Sequence, residues 1–165
     1  MGAVTTRTLA WMLLARLLLG MASPEKTVNL TIPPSRVLIG QPDASMRSHL
    51  ESFFRGVGCE PLVVRASEEA LHIARSGGFR LGVIDEEFPK LGGLEVVRFL
   101  ARLVNRIPCI LTARLTSKEA QMAALDAGVV TVLEKPFTDD TLQFAVTRVF
   151  GLSRPGSGDR ENRTH

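Results

Sequence analysis

This chain has few residues able to carry redox chemistry or bind a soft metal. Its two cysteines, Cys59 and Cys109, are too few to build a disulfide framework. Its three histidines, His49, His72 and His165, are widely spaced, which excludes the common zinc patterns. Tyrosine is absent altogether. No block of one charge sign marks the middle of the chain. The net charge of +3 resides at the ends: residues 1–35 hold three cations against Glu25, and residues 152–165 hold three against Asp159 and Glu161. The pI of about 9.3 therefore does not announce a nucleic-acid-binding domain. Nor does any apolar run reach the roughly 20 residues of a membrane-spanning helix. The longest, Leu9–Ala22, is broken by Arg16.

What is present is ordinary globular material. A chain of 165 residues, 45% hydrophobic and 22% charged, is sized and composed for one domain. Residues 1–35 read as an apolar segment and linker. Its apolar part, 9–22, fits an appended helix, a membrane-associating helix, a secretory signal or an extension ahead of a later start. Residues 36–150 read as the folded domain. Residues 151–165 are Gly-, Arg- and Ser-rich with no apolar period, and read as a disordered tail.

Between the ends, short apolar runs alternate with helical patterns. Strands are expected at Val37–Ile39, Leu62–Val64, Leu81–Ile84, Pro108–Leu111 and Val129–Leu133. Asp43 is placed to cap a first helix in which Met46, Leu50, Phe53 and Phe54 share a face, with Gly56 and Gly58 ending it. Ser67 is placed to cap a second, which Gly77-Gly78 stops. Leu94, Val97, Leu100 and Val104 mark a third. Thr116 and Glu119 have capping-box spacing before a fourth. Thr138, Asp139 and Asp140 open the last, with Leu142, Ala145, Val146 and Val149 on one face. Five such units with continuous apolar strands predict an α/β fold: a doubly wound five-stranded parallel sheet, flavodoxin-like, in order 2-1-3-4-5.

In such sheets chemistry sits at the carboxyl ends of the strands. The residues there are Gln41-Pro42, Asp85, Thr112-Ala113 and Lys135. A carboxylate, a hydroxyl and an ammonium on one rim suit a phosphoryl group carried on the carboxylate, with the other two stabilising its oxygens.

From Arg36 to Phe150 the sequence resembles the receiver domain of two-component response regulators. Asp85 with Phe88-Pro89-Lys90-Leu91-Gly92-Gly93-Leu94, Ile107-Pro108 before Thr112-Ala113, Ala124-Leu125-Asp126-Ala127-Gly128, and Lys135-Pro136-Phe137-Thr138 carry the resemblance. It implies that Asp85 is the phosphoacceptor and that Thr112, Ala113 and Lys135 bind the phosphoryl group. It also implies a sensor histidine kinase or phosphotransfer protein as partner, a downstream protein target bound through residues 114–150, a cis Lys135–Pro136 bond and a cytoplasmic location.

The departures from the family pattern are specific. Receivers usually end the first strand with two adjacent acids that hold Mg²⁺ together with the phosphoacceptor. Gln41 and Pro42 stand in those places. Mg²⁺ needs several hard oxygen ligands in near-octahedral geometry. Gln41 offers one neutral oxygen, and Pro42 has no side-chain ligand and no N–H. Asp85 and Glu87 remain as metal candidates, Glu87 through a position that normally gives only its backbone carbonyl, so Mg²⁺ binding is expected to be weak. Asp43 and Glu86 are further acids nearby, better read as a cap and a solvated loop charge. The aromatic that normally swings inward with the threonine is replaced by Val132, which has one stiff rotamer and little reach. At Gly92, where the family usually has Asp, glycine suits a turn of positive φ.

The reading is a divergent stand-alone receiver, not an enzyme, in which either Asp85 is phosphorylated poorly or the domain is a pseudo-receiver acting by protein contact. The alternative is a flavodoxin-like small-ligand domain or enzyme using the same rim. The loop Gln41-Pro42-Asp43-Ala44-Ser45 lacks the glycines of a phosphate cradle. Only about fifteen residues follow Phe150, too few for a helix-turn-helix, so the expected output is another protein and not a nucleic acid.

Overall fold

The computed structural model describes residues 34–114 and 117–151. The segment 9–22 and the tail beyond residue 151 lie outside them. No helix among the described residues is long and apolar enough to cross a membrane.

Five strands, β1 (Arg36–Gly40), β2 (Glu60–Val64), β3 (Phe79–Asp85), β4 (Cys109–Ala113) and β5 (Val129–Glu134), alternate with five helices. These are α1 (Ala44–Gly56), α2 (Ser67–Arg75), α3 (Gly93–Arg102), α4 (Lys118–Asp126) and α5 (Asp139–Phe150). All the strand pairs are parallel, in the expected order β2-β1-β3-β4-β5.

The alternation of side chains along each strand divides the core into two layers. Val37, Ile39, Leu81, Val83, Ile110 and Leu133 face α1 and α5, where Leu50, Phe53, Phe54, Leu142 and Val146 meet them. Leu38, Ile84, Cys109 and Leu111 face the other way, toward Ala70, Val96, Val97, Leu100 and Ala124 of α2, α3 and α4. Both faces are covered, which is why the strands read as unbroken apolar runs. On the second layer burial pushes the Cys109 thiol up to about 12, so it packs as a small apolar group.

Three local expectations change. α3 stops at Arg102, and Val104 is fully exposed beyond it; helical periodicity alone does not show where a helix ends. The fourth helix is capped by Ser117, whose Oγ accepts the Ala120 N–H at 3.2 Å, while Thr116 lies outside the described residues. Ser67 is not a cap either. It is the first residue of α2, and the cap position falls on Ala66, which has no side-chain hydrogen bond. Asp43 and Thr138 do cap, accepting the N–H of Met46 and of Thr141.

Candidate functional site

The strand ends bring one carboxylate into the middle of a ring of donors. Asp85 is the last residue of β3, 1% exposed, and in register with Thr112 of β4. Its position is fixed from behind. Gly93 packs so close that a Cβ there would collide with the Asp85 carbonyl oxygen. Gly92, at φ 79°, makes the turn into α3 as expected.

Four groups donate to the carboxylate. Oδ2 accepts from Thr112 Oγ1 at 2.8 Å, from Lys135 Nζ at 2.8 Å and from Gln41 Nε2 at 3.1 Å. Oδ1 accepts the Glu87 N–H at 2.9 Å. Burial pushes the Asp85 carboxyl up, but the hydrogen bonds from Lys135, Thr112, the Glu87 N–H and Gln41 together hold it below the usual carboxylate range. Lys135 reaches the site from the residue after β5, its peptide bond to Pro136 cis. Its backbone N–H donates to the carbonyl of buried Ala113 at 2.9 Å, tying the two strand ends together. Asp85, Thr112 and Lys135 therefore converge, and Ala113 serves through its backbone.

Gln41 is 2% exposed and doubly engaged. Its Oε1 accepts the Asp43 N–H at 3.0 Å while its Nε2 faces Asp85. The amide has one sensible orientation here, because a carboxylate only accepts and an N–H only donates. The sequence left open that Gln41 lends its oxygen toward a metal; that oxygen is turned to Asp43 instead. Arg47 holds the same loop, its Nη1 donating to the Gln41 carbonyl at 3.0 Å and the Pro42 carbonyl at 3.3 Å.

The remaining acids stay outside the ring. The Asp43 side chain accepts the Met46 N–H at 2.7 Å. The Glu87 side chain is 65% exposed, its nearest oxygen 3.9 Å from Lys135 Nζ. Glu86 accepts from the Arg114 N–H. An open cleft of about 430 Å³ lies above the ring, bounded by Gln41, Pro42, Asp43, Met46, Glu87, Arg114, Lys135 and Pro136.

This donor set does not fit Mg²⁺. The ion needs several oxygens free to turn toward it. Both Asp85 oxygens accept from the chain's own donors, Gln41 presents its N–H side, and Pro42 has no side-chain ligand atom, its carbonyl accepting from Arg47. Among the described residues no group of three His, Cys, Asp or Glu could hold a metal.

The sequence profile of the response regulator receiver domain matches residues 37–147. The chain belongs to that family, whose domains act in two-component signalling. It is 34% identical over 110 residues to nodulation protein W of Bradyrhizobium diazoefficiens, covering 67% of this chain and 48% of that protein. It is 35% identical over 120 residues to the transcriptional regulatory protein PrrA of Mycobacterium tuberculosis, covering 72% of this chain and 50% of that protein. The chain thus spans about half the length of these curated relatives. Among solved structures, the receiver domain of Francisella response regulator 1452 superposes with a TM-score of 0.65 at 26% identity, covering 71% of this chain and 97% of that one. The receiver domain of the sensor histidine kinase PA1611 from Pseudomonas aeruginosa also shares the fold, with a TM-score of 0.65 at 22% identity over 72% of this chain and 99% of that one. That domain was solved with magnesium coordinated in its active-site cleft.

The sequence placed Asp85, Thr112, Lys135 and Gln41 at the strand ends, but two roles in the ring were not legible: that the Glu87 backbone N–H donates to Asp85, where the sequence offered Glu87 as a metal candidate, and that Gln41 donates. Nothing in the sequence showed that Gln41 donates, because the side the amide presents depends on where the Asp43 N–H lies.

Proposed function

We propose that this receiver is a pseudo-receiver: it works by protein contact, with Asp85 held permanently in the arrangement that a phosphoryl group would otherwise create. One observation carries the reading. The Asp85 carboxylate already accepts four hydrogen bonds, including that of Thr112, the residue whose family counterpart bonds the phosphoryl group. Residues 36–150 are the working unit.

Two consequences follow from the chemistry. Mg²⁺ binds more weakly than millimolar, because charge count and ligand freedom set the affinity for hard cations. Phosphoryl transfer to Asp85 is slow. Losing the metal's charge stabilisation, worth roughly 3–4 kcal/mol, slows transfer some hundreds-fold at about 1.4 kcal/mol per factor of ten. The output surface is α4, β5 and α5, within residues 114–150, and its partner is a protein. A sensor histidine kinase or phosphotransfer protein docks at the rim of Asp85, and its docking does not depend on transfer.

The test is incubation with acetyl phosphate, with and without Mg²⁺, followed by intact mass. The expected result is no appreciable phosphorylated species under either condition. Rapid Mg²⁺-dependent phosphorylation that Asp85→Asn abolishes would make this an ordinary phospho-switched receiver.

A further inference from the structure

Five polar residues are buried among the described residues: Ser35, Gln41, Ser67, Asp85 and Thr112. A buried hydroxyl is costly unless it is hydrogen-bonded, so its bonds identify what holds it there. Gln41, Asp85 and Thr112 form the ring. Ser67 does not, yet it is fully buried at 0% exposure. It also stands beside a helix N-cap that it does not serve, leaving α2 with Ala66 and no side-chain cap.

The hydroxyl goes instead to the loop that follows Asp85. Ser67 Oγ donates to the Pro89 carbonyl at 2.6 Å and accepts the Leu91 N–H at 3.3 Å. These two groups flank Lys90, whose φ of 77° is the one positive value among the described non-glycine residues. A left-handed conformation is unfavourable for a residue with a Cβ and persists only when its surroundings hold it. Glu68, the next residue of α2, meets the Lys90 ammonium at 3.1 Å. The first turn of α2 therefore grips Lys90 by its flanking backbone and by its side chain.

The gripped loop bears on the site at two points. Its Glu87 N–H is the donor to Asp85 Oδ1. Its Phe88, 1% exposed, packs where a Cβ on Gly40 would lie 3.2 Å from the ring, and Gly40 precedes Gln41. Without Ser67, Lys90 is expected to relax toward negative φ and to pull on a segment otherwise held by its own backbone, the Phe88 N–H on the Asp85 carbonyl at 3.1 Å and the Gly92 N–H on the Phe88 carbonyl at 3.1 Å.

We infer that Ser67 is a positioning residue for Asp85: its hydroxyl holds Lys90 in the left-handed turn that keeps the Glu87 N–H on the carboxylate. The geometry is the same whether or not Asp85 ever accepts a phosphoryl group, so the inference does not rest on the proposed function.

The test is amide hydrogen exchange by NMR on the full chain, in native protein, Ser67→Ala, Lys90→Gly and the double variant. Ser67→Ala is expected to speed exchange of the Glu87 amide about tenfold or more relative to the β5 amides. Lys90→Gly alone is expected to leave the Glu87 amide as in native protein, because glycine adopts positive φ without steric cost. The double variant is expected to return to near-native Glu87 exchange, since the turn no longer needs to be held. That variant keeps the test available if Ser67→Ala alone does not fold. The inference is overturned if Glu87 exchange in Ser67→Ala merely tracks the β5 amides, the mark of uniform destabilisation. It is equally overturned if Lys90→Gly fails to restore Glu87 in the double variant.

Discussion

Gln41 Nε2 donates to Asp85 Oδ2 at 3.1 Å, from the position where the receiver resemblance leads one to expect an acid. An acid there would repel Asp85 and call for a cation between them. The amide removes the repulsion and supplies a donor. The site is electrostatically complete with Lys135 as its cation, 2.8 Å from Asp85.

Metal affinity is the first consequence. Native protein is expected to show no saturable Mg²⁺ binding below millimolar concentration in a calorimetric titration. Replacing Gln41 and Pro42 together with Asp is expected to restore binding. Tight binding by the native protein would show that Asp43, Glu86 or Glu87 turns inward.

Lys135 is expected to matter for stability more than an exposed lysine does. Its side chain is 14% exposed, and that of Asp85 is 0% exposed. Lys135→Met leaves a buried carboxylate without its cation, a loss of about 3–5 kcal/mol. Urea unfolding measures it. Asp85→Asn in the same background is expected to recover part of the loss, because the uncompensated charge is then gone. Equal losses with and without Asp85→Asn would place the role of Lys135 in packing.

The folded carboxyl of Asp85 lies below its ordinary value. A depressed folded pKa stabilises above the unfolded pKa of about 3.9, and that stabilisation disappears as pH falls through the folded value. Asp85→Asn is therefore expected to show a shallower loss of melting temperature than native protein as pH falls below about 4. Parallel acid limbs for the two proteins would assign the acid sensitivity to other groups.

How much was legible in the sequence depended on the range of the interaction. Continuous apolar runs and glycine stops gave the succession of strands and helices, the doubly wound precedent gave their order, and Asp85, Thr112 and Lys135 fell on one rim because a parallel sheet sends all its carboxyl ends to one edge. Local capping was half legible. Asp43 caps because only its own helix competes for it. Ser67 has the same local credentials, but a peptide more than twenty residues away takes its hydroxyl, and nothing in the α2 sequence announces that loop. Gln41 shows the same limit. Its residue type was informative, but which face it presents is set by Asp43 and Asp85 together.

The output face gives a fourth expectation. Val132 packs against the α2–α3–α4 layer as a partly buried side chain, and a short β-branched side chain has restricted χ1 freedom and cannot swing between the interior and the surface as an aromatic ring can. A ligand shifts an equilibrium only by its differential affinity for two states. A partner docking on α4, β5 and α5 is expected to bind native protein and Asp85→Asn within a few-fold of each other. Charge reversal at Arg114 or Lys118 is expected to weaken it further than any change at Asp85. A tenfold difference between native protein and Asp85→Asn, about 1.4 kcal/mol, would restore a dependence on the acid.

The most direct test of a permanently held Asp85 is the ¹H–¹⁵N spectrum of the protein with and without beryllofluoride and Mg²⁺. The phosphoryl mimic is expected to leave the amides of α4, β5 and α5 where they are, because Thr112 is already bonded to Asp85 at 2.8 Å and Val132 cannot swing as an aromatic ring can. Saturable shifts spreading from Thr112 through β5 to α5, absent in Asp85→Asn, would contradict the account.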